Sequence, residues 1–268
     1  MDGPTQASAA LAFDAIAADF DVRFSPWRSV DAQRRAVRRA LAEAFPPGAR
    51  LIEIGGGTGE DALWFAGQGR EVLMTDASPA MVAAASAKAG GRIRTAVVAA
   101  EDFHLLADHL AGQPLFDGAY SVFAGLNCVS DLRPFAEGLA RMLRPAAPLL
   151  LVVFGACCPG EMIVETIRGR PHNALRRFRN GDVSASLAGK KFTVRYHRKH
   201  DLTQMLDPLF SYEARRGIGV FVPPSAAEPW ISSHPRLLGF LEALDRWAMH
   251  PLAPLGDHIL YRFVRSSQ

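Results

Sequence analysis

Short apolar runs alternate with amphipathic segments along the first 154 residues of the chain. Five of the runs have the length of buried strands, at residues 50–54, 71–75, 95–99, 118–123 and 149–154. Segments between and before them place apolar residues at helical spacing, which predicts helices at about 31–45, 79–89 and 132–143. Strands that alternate with helices build βαβ units, so the pattern predicts an α/β fold with a mostly parallel sheet and helices on both faces.

Two further apolar runs lie near the end of the chain, at residues 211–220 and 258–264. The segment between them opens with two prolines and then carries leucines and aromatic residues at helical spacing, which predicts a helical insertion at about 223–254. We therefore expect an amino-terminal lid and cofactor-binding core at 1–154, an inserted cap at 155–200, and the remainder of the core at 201–268.

The first predicted strand ends in a glycine-rich turn within the sequence LIEIGGGTGE, residues 51–60. Gly55, Gly57 and Gly59 stand at every second position, where bare backbone can lie against the polar edge of a ligand. A dinucleotide fingerprint needs a glycine three places after Gly57, and that place holds Glu60, which would face a pyrophosphate. The spacing therefore disfavours a dinucleotide cofactor.

An acidic residue, Asp76, ends the second predicted strand about 20 residues further along. Rossmann-like folds place at this point the acid that accepts hydrogen bonds from ribose hydroxyls. A helix-capping role for Asp76, just before Ser78 and Pro79, is compatible with ribose binding.

The pattern acid-x-Gly-x-Gly-x-Gly, formed by Glu53 and the three glycines, resembles motif I of the class I S-adenosylmethionine-dependent methyltransferases. The resemblance implies S-adenosylmethionine as the cofactor and a Rossmann-like, seven-stranded, mostly parallel sheet with an antiparallel last strand. It also implies that the loop after the third strand holds the adenine, and that the end of the fourth strand lies beside the methionine part and the reactive methyl. The cofactor-binding residues it implies are Glu53, Gly55, Gly56, Gly57, Gly59, Asp76, Ala77, Glu101, Asp102, Phe103, Phe123 and Asn127.

The amino-terminal sequence FDAIAADFDVRF, residues 13–24, resembles the segment that closes over the cofactor in many small-molecule methyltransferases. That family usually carries a Tyr-Asp pair here, and this chain has Phe20 and Asp21. Because the tyrosine hydroxyl is lost, an apolar lid is favoured over a hydrogen-bonding one, with Phe20 and Trp27 against the substrate. An amphipathic helix packed on the sheet is the alternative.

Basic residues are concentrated in the cap. The chain has a formal net charge of +3, whereas residues 168–200 contain ten lysines and arginines and one acid, Asp182. Arginine forks suit planar or tetrahedral oxyanions, so Arg176 and Arg177 are predicted to bind an acceptor that carries a carboxylate, a phosphate or an anionic lipid headgroup. Tyr196, an aromatic residue interleaved with the charges, is also predicted to bind the substrate. Interleaved aromatic residues would also allow stacking on RNA bases, and a solvated basic surface would need no ligand.

No motif marks a catalytic residue. An activated methyl group needs mainly a well-aimed nucleophile, and a base is required only where a hydroxyl or an ammonium must lose its proton. Position in the cap suggests the candidates His172, His197, His200 and Tyr196. The three cysteines show neither a disulfide framework nor zinc spacing, so no metal site is predicted.

Composition agrees with these expectations. At 268 residues and 49% hydrophobic content the chain can bury a large core, and it has no apolar run as long as a membrane span. It starts without the basic segment and apolar stretch of a signal peptide, so a cytoplasmic protein is expected.

The interpretation is methyl transfer from S-adenosylmethionine to an oxygen or nitrogen atom of a small or medium-sized organic acceptor, with an anionic acceptor favoured by the cap. Two alternatives stay open: an RNA or protein methyltransferase that docks through the basic cap, and a non-catalytic protein that binds the cofactor. A homodimer is compatible with the sequence.

Overall fold

A computed structural model describes residues 6–24, 26–123, 125–179 and 181–267. Seven of the strands within these residues form one sheet, and two form a separate hairpin. The strands are β1 Arg50–Ile54, β2 Glu71–Asp76, β3 Arg94–Val97, β4 Gly118–Ser121, β5 Pro148–Phe154, β6 Asp182–Leu187, β7 Lys190–Arg195, β8 Phe210–Ile218 and β9 His258–Arg265.

The sheet has the order β3-β2-β1-β4-β5-β9-β8. Strands β1 to β5 pair in parallel, β9 pairs antiparallel with β5, and β8 pairs antiparallel with β9. This confirms the mostly parallel sheet with an antiparallel last strand. Because β9 runs opposite to β5, its first residue, His258, lies beside Phe154 at the carboxyl edge of the parallel strands.

Eleven helices of the described residues surround the two sheets. They are α1 Gln6–Asp14, α2 Phe20–Phe24, α3 Arg28–Ala44, α4 Glu60–Ala66, α5 Pro79–Ala89, α6 Phe103–His109, α7 Arg133–Met142, α8 Pro159–Ile167, α9 Pro171–Ala174, α10 Lys199–Leu206 and α11 Pro235–Ala248.

The core lies on both faces of the sheet because successive side chains of a strand point to opposite sides. In β5, Leu149 and Leu151 pack with residues of α6, α7 and α10, whereas Leu150 and Val152 pack with residues of α3, α4 and α5. A strand buried on both faces is apolar throughout, which is why β5 was recognisable as a continuous apolar run.

Two predicted strands in the parallel part of the sheet are longer than the strands observed. The run at 95–99 ends as β3 at Val97, and a single 3-10 turn begins at Ala100. The run at 118–123 ends as β4 at Ser121, because the chain leaves extended geometry and Phe123 has a φ of 51°. In both places the chain turns earlier than predicted. The turns lie at the carboxyl edge of the sheet, where ligands bind in open α/β folds.

Within the cap, β6 and β7 form a hairpin closed by a two-residue turn. Ala188 and Gly189 have φ values of 49° and 77°, the left-handed conformations that a tight hairpin turn requires. The hairpin packs against α1 through the buried side chains of Ala9, Ala12 and Phe192. The amino-terminal segment and the cap therefore meet over the carboxyl edge of the sheet.

The last insertion contains the predicted amphipathic helix as α11. Leu238 and Ala248 are buried, whereas Phe240 and Trp247 are exposed. No helix among the described residues is long and apolar enough to cross a membrane.

Candidate active site

The glycine turn between β1 and α4 exposes its backbone to a cavity. Gly55, Gly57 and Gly59 have φ values of 67°, 56° and 74°, which glycine adopts without strain. A β-carbon at Gly55 would lie 3.3 Å from the α-carbon of Gly125, whereas one at Gly57 would meet no described atom within 4 Å. Gly55 therefore permits the close approach of two loops, and Gly57 presents bare backbone to open space.

Asp76 faces the same cavity from the end of β2. Its Oδ2 accepts a hydrogen bond from the backbone N–H of Gly57 at 2.8 Å, and its Oδ1 accepts one from the N–H of Ser78 at 2.8 Å. Burial raises the pKa of Asp76, and these backbone hydrogen bonds oppose that effect. Each carboxylate oxygen accepts about two hydrogen bonds, so both retain capacity for ribose hydroxyls.

Two carboxylates attach the amino-terminal segment to the glycine turn and to α5. Asp14, at the end of α1, accepts hydrogen bonds from the backbone N–H of Ala80 at 3.0 Å and from the Ser78 hydroxyl. Asp21, in α2, accepts from the Thr58 hydroxyl at 2.6 Å and from Lys88 Nζ at 2.6 Å. The amino-terminal segment therefore combines apolar side chains with two polar attachment points, of which Asp14 was not considered in the sequence analysis.

A cavity of about 630 Å³ extends from the glycine turn to the cap hairpin. Apart from the backbone of the turn, its wall is mainly apolar, with a large aromatic part that we call the aromatic wall. The aromatic side chains that line it are Phe13, Phe20, Phe24, Trp27, Phe123, Phe154, Phe192 and Tyr196.

The structure brings nine of the predicted site residues to the wall of this cavity. From the cofactor set these are Gly55, Gly57, Asp76, Ala77 and Phe123, and from the substrate set Phe20, Trp27, Arg176 and Tyr196. The wall does not include the other predicted residues, which are Glu53, Gly56, Gly59, Glu101, Asp102, Phe103, Asn127, His172, Arg177, His197 and His200.

Several of these excluded residues have structural contacts instead. Phe103 is fully buried in the core against Phe135, and its backbone N–H donates to Ala100 O, so neither group is offered to an adenine. Asn127 is buried and joins two elements: its Nδ2 donates to Arg195 O at 2.6 Å, and its Oδ1 accepts from the N–H of Phe154 at 3.0 Å.

None of the three predicted histidines lies at the cavity. His172 and His200 are exposed on the cap surface. His197 is buried, with Nε2 at 2.8 Å from Val129 O and 3.2 Å from Leu126 O, and burial lowers its pKa. We therefore assign His197 to stabilising the contact between the cap and the loop after β4.

Glu53 lies beneath the glycine turn. It is fully buried, its Oε2 lies 2.9 Å from the position that a β-carbon on Gly56 would occupy, and neither oxygen has a hydrogen-bond partner among the described residues. Burial, followed by the nearby Asp61 charge, raises the pKa of Glu53 well above its ordinary value. The carboxyl group therefore favours its protonated form.

Replacing Glu53 by glutamine is expected to stabilise the protein more at pH 8 than at pH 5. A group whose pKa is higher in the folded than in the unfolded state stabilises the folded protein fully at pH values below its unfolded pKa. This stabilisation is lost as the pH rises through the folded pKa. Glutamine avoids ionisation, so we expect a gain of roughly 1–3 kcal/mol at pH 8, measured by urea unfolding. Glu137→Gln, at an exposed position of α7, should leave the free energy of unfolding unchanged at both pH 8 and pH 5. An equal effect of Glu53→Gln at both pH values would contradict a raised pKa.

A polar group that the sequence analysis missed, His258, lies at the start of β9. Its Nδ1 is 3.0 Å from Gln33 Oε1, and Gln33 Nε2 donates to Asp257 Oδ2 at 3.1 Å. The imidazole stacks on Phe154 with ring centroids 4.9 Å apart and meets the Phe123 ring edge-on at 5.4 Å. His258, Asp257 and Gln33 all line the cavity.

Arg177 is held within the protein rather than presented to an acceptor. It is buried, its Nε donates to Glu161 Oε2 at 2.9 Å, and its Nη2 donates to Asp257 Oδ1 at 2.6 Å. Its Nη1 also donates to Gly155 O and to Asp257 O, at 3.1 and 2.7 Å. Arg177 therefore joins the cap to the ends of β5 and β9, whereas Arg176, which pairs with Glu161 at 2.8 Å, remains at the cavity wall.

The hairpin turns its apolar face, and not its basic face, toward the cavity. Phe192 and Val194 alternate with exposed or half-buried residues along β7, and Lys190 and Lys191 are exposed. Alternation along a strand separates the two faces, so the concentration of charge in the cap is mainly a property of its outer surface. In the part of the chain that the structure describes, no cluster of His, Cys, Asp or Glu is arranged to hold a metal ion.

Comparison with known proteins identifies the central part of the chain. Residues 51–146 match the family model described as a methyltransferase domain. That segment contains the glycine turn, Asp76 and the loop after β4. No curated protein sequence is similar enough to count as a match.

Solved structures share the fold at low sequence identity. The (4+2)-cyclase SpnF has a TM-score of 0.62 and 15% identity, over 100% of this chain and 98% of that chain. The complex of DhpI with SAH has a TM-score of 0.59 and 15% identity, over 97% of each chain. A TehB-like SAM-dependent methyltransferase from Corynebacterium glutamicum has a TM-score of 0.55 and 14% identity, over 94% of this chain and 99% of that chain.

Proposed function

We propose that this chain, whose residues 51–146 match a methyltransferase domain, uses S-adenosylmethionine to methylate an oxygen or nitrogen atom of a small or medium-sized organic acceptor. The acceptor would occupy the part of the cavity between the glycine turn and the cap hairpin. The amino-terminal segment and the hairpin would form the lid above it.

The observation that carries this proposal is the continuity of one cavity. Asp76 and Gly57 stand at the end where the ribose of the cofactor is expected, and Phe192 and Tyr196 stand in the wall contributed by the cap. The volume of about 630 Å³ is within the range of roughly 300–1,000 Å³ that small-molecule sites occupy. An acceptor that binds here must fit beneath α1 and the hairpin.

The residues present fit the cofactor. Asp76 has unused acceptor capacity, and Gly57 leaves open space where a side chain would otherwise stand. S-adenosylmethionine supplies a methyl group that is already activated on a sulfonium. The turn and Asp76 would hold the cofactor, while the aromatic wall excludes water and orients a planar or apolar acceptor.

Charge in the wall supports an acceptor with anionic or electron-rich groups. Arg34 and Arg176 line the cavity, and Arg176 is partly exposed while it pairs with Glu161. Arg177, which the sequence analysis grouped with Arg176, is already bonded to Glu161 and Asp257. We therefore retain Arg176 as a proposed acceptor contact and assign Arg177 to positioning the cap.

The test is a panel of acceptors incubated with cofactor that carries an isotopically labelled methyl group. Phenols, alcohols, amines and carboxylates would be compared with total RNA and with protein, and mass spectrometry would locate the label. We expect label in a small molecule, and Gly57→Val should abolish it. Label confined to RNA, with binding that falls steeply as salt rises, would favour the RNA alternative. Conversion of an acceptor without consumption of the cofactor would also contradict methyl transfer.

A further inference from the structure

We propose that His258 is the general base of this protein and that its Nε2 atom takes the proton from a hydroxyl group of the acceptor. The inference rests on methyl transfer as the proposed function and specifies its acceptor atom as a hydroxyl oxygen. Three features of the structure carry it: the position of the imidazole, the tautomer that its hydrogen bonds require, and the charges around it.

The position follows from the topology of the sheet. His258 begins the one strand that is antiparallel to β5, so it reaches the same edge as the glycine turn that follows β1. Its ring lies 5.4 Å from that of Phe123, in the loop after β4. That loop also contains Gly125, which contacts Gly55. His258 therefore stands at the junction between the cofactor end of the cavity and the aromatic end.

The hydrogen bonds of Gln33 determine the tautomer of His258. The carboxylate of Asp257 only accepts hydrogen bonds, so Gln33 must direct its amide N–H toward Asp257 Oδ2, at 3.1 Å. The amide oxygen then faces His258 Nδ1 at 3.0 Å and can only accept, which places the proton on Nδ1. Asp257 Oδ2 lies 3.5 Å from Nδ1, and its negative charge also favours a proton on that nitrogen. The lone pair of neutral His258 therefore lies on Nε2, the nitrogen not engaged by Gln33.

The charges around His258 favour this neutral form. Burial is the main effect, and it lowers the pKa of His258. The adjacent Asp257 would raise that pKa, but Arg177 forms an ion pair with Asp257 and lowers it again. The other charged or titratable groups near His258 or in the same wall are Glu161, which pairs with Arg177, and Asp76, Cys128, Arg34, Arg176 and Tyr196. A neutral imidazole at neutral pH can accept a proton at once.

The charges of the cavity wall also favour an acceptor with a hydroxyl group over one with an ammonium group. Arg34 and Arg176 line the cavity, and the negative charge of Asp257 is balanced by Arg177. The remaining carboxylate of the wall, Asp76, lies at the end proposed for the ribose, so a cationic acceptor would find no unbalanced anion beside His258. The aromatic wall suits a planar acceptor, and a phenol-type hydroxyl meets both conditions. In the step, the acceptor O–H bond breaks and its proton moves to Nε2. The oxygen then forms the new C–O bond, and the electron pair of the broken S–C bond stays on sulfur.

The first test is His258→Gln with a hydroxyl acceptor. Loss of a general base is expected to lower kcat by roughly 100-fold or more, while cofactor affinity stays within about twofold. In the unmodified protein kcat should rise with pH through the pKa of His258 and then level off, and the variant should lack that inflection. The matched control is His109→Gln, at an exposed position near the end of α6, which should keep both kcat and the inflection.

A second measurement needs neither turnover nor a folded variant. Nitrogen-15 NMR of the cofactor-free protein should show His258 as the Nδ1–H tautomer, with a pKa below the ordinary histidine value. A proton on Nε2 would overturn the proposal, because that nitrogen could not then act as the base.

The outcomes separate this inference from the function on which it rests. If methyl transfer occurs but His258→Gln keeps its kcat and pH profile, the base is wrong and the methyltransferase function stands. Transfer only to amines or thiols would likewise contradict the hydroxyl acceptor alone. If the cofactor binds and no acceptor of any class is methylated, both the proposed function and this inference fail.

Discussion

Replacing Arg177 by methionine is expected to lower the free energy of unfolding by about 3–5 kcal/mol, the range for breaking a buried ion pair by removing one partner. The substitution would leave Glu161 and Asp257 buried without the cation that both now contact. It would also remove the hydrogen bonds to Gly155 O and Asp257 O that join the cap to the sheet. Urea unfolding followed by circular dichroism measures the change.

Arg179→Met is the matched control, because Arg179 is an exposed arginine two residues away in the cap. An exposed charge contributes little, so this variant should differ from the unmodified protein by less than about 1 kcal/mol. Equal, small effects of both substitutions would show that Arg177 does not hold the cap to the core. That result would return Arg177 to the set of proposed acceptor contacts.

Replacing Asp76 by alanine is expected to weaken S-adenosylhomocysteine binding by about 1.5–3 kcal/mol, because two ribose hydroxyls would lose a charged acceptor. That is a loss of roughly 10-fold to 150-fold in affinity, measurable by titration calorimetry. Gly57→Val should lose at least as much, since a branched side chain would occupy the open space and Gly57 has a φ of 56°.

Glu71→Ala supplies the control for Asp76, because it removes a carboxylate from the other end of the same strand. Glu71 is exposed and pairs with Arg50, so cofactor affinity should be unchanged. Normal binding by both Asp76→Ala and Gly57→Val would mean that the cofactor binds elsewhere. Tight binding of NADH without any response to S-adenosylhomocysteine would contradict the cofactor itself.

The residues of the proposed cofactor half of the cavity could be selected from the sequence because they are close together in it. One glycine turn and the acid at the end of the next strand belong to consecutive elements, and the spacing of Gly55, Gly57 and Asp76 reflects local geometry. The structure does not bring the predicted residues Phe103 and Asn127 to the cavity wall. Hydrophobic burial places Phe103 in the core, and Asn127 is used to join the loop after β4 to the cap.

The proposed acceptor half depends on contacts between distant segments. His258 comes from the last strand and Gln33 from α3, 225 positions apart, and no local pattern connects them. A signal was nevertheless present, because an antiparallel last strand that follows β5 must begin at the carboxyl edge. Its first residue, predicted correctly as His258, was therefore a better candidate base than a histidine chosen from the cap.

The prediction that Arg177 binds an acceptor left out its two ion-pair partners, because they lie outside the segment whose charge was counted. Counting charge over residues 168–200 left out Glu161, which precedes the segment, and Asp257, which follows it by more than fifty residues. Both carboxylates reach Arg177 only through the fold. A net charge summed over a segment of sequence therefore overstated the cations available to a ligand.

A crystal structure with bound S-adenosylhomocysteine and a phenol-type acceptor tests the central claim most directly. We expect the ribose hydroxyls to hydrogen-bond to Asp76, and the acceptor to lie against the aromatic wall with its hydroxyl within hydrogen-bonding distance of His258 Nε2. A ribose away from Asp76, or an acceptor bound on the outer basic surface of the cap and not in the cavity, would contradict it.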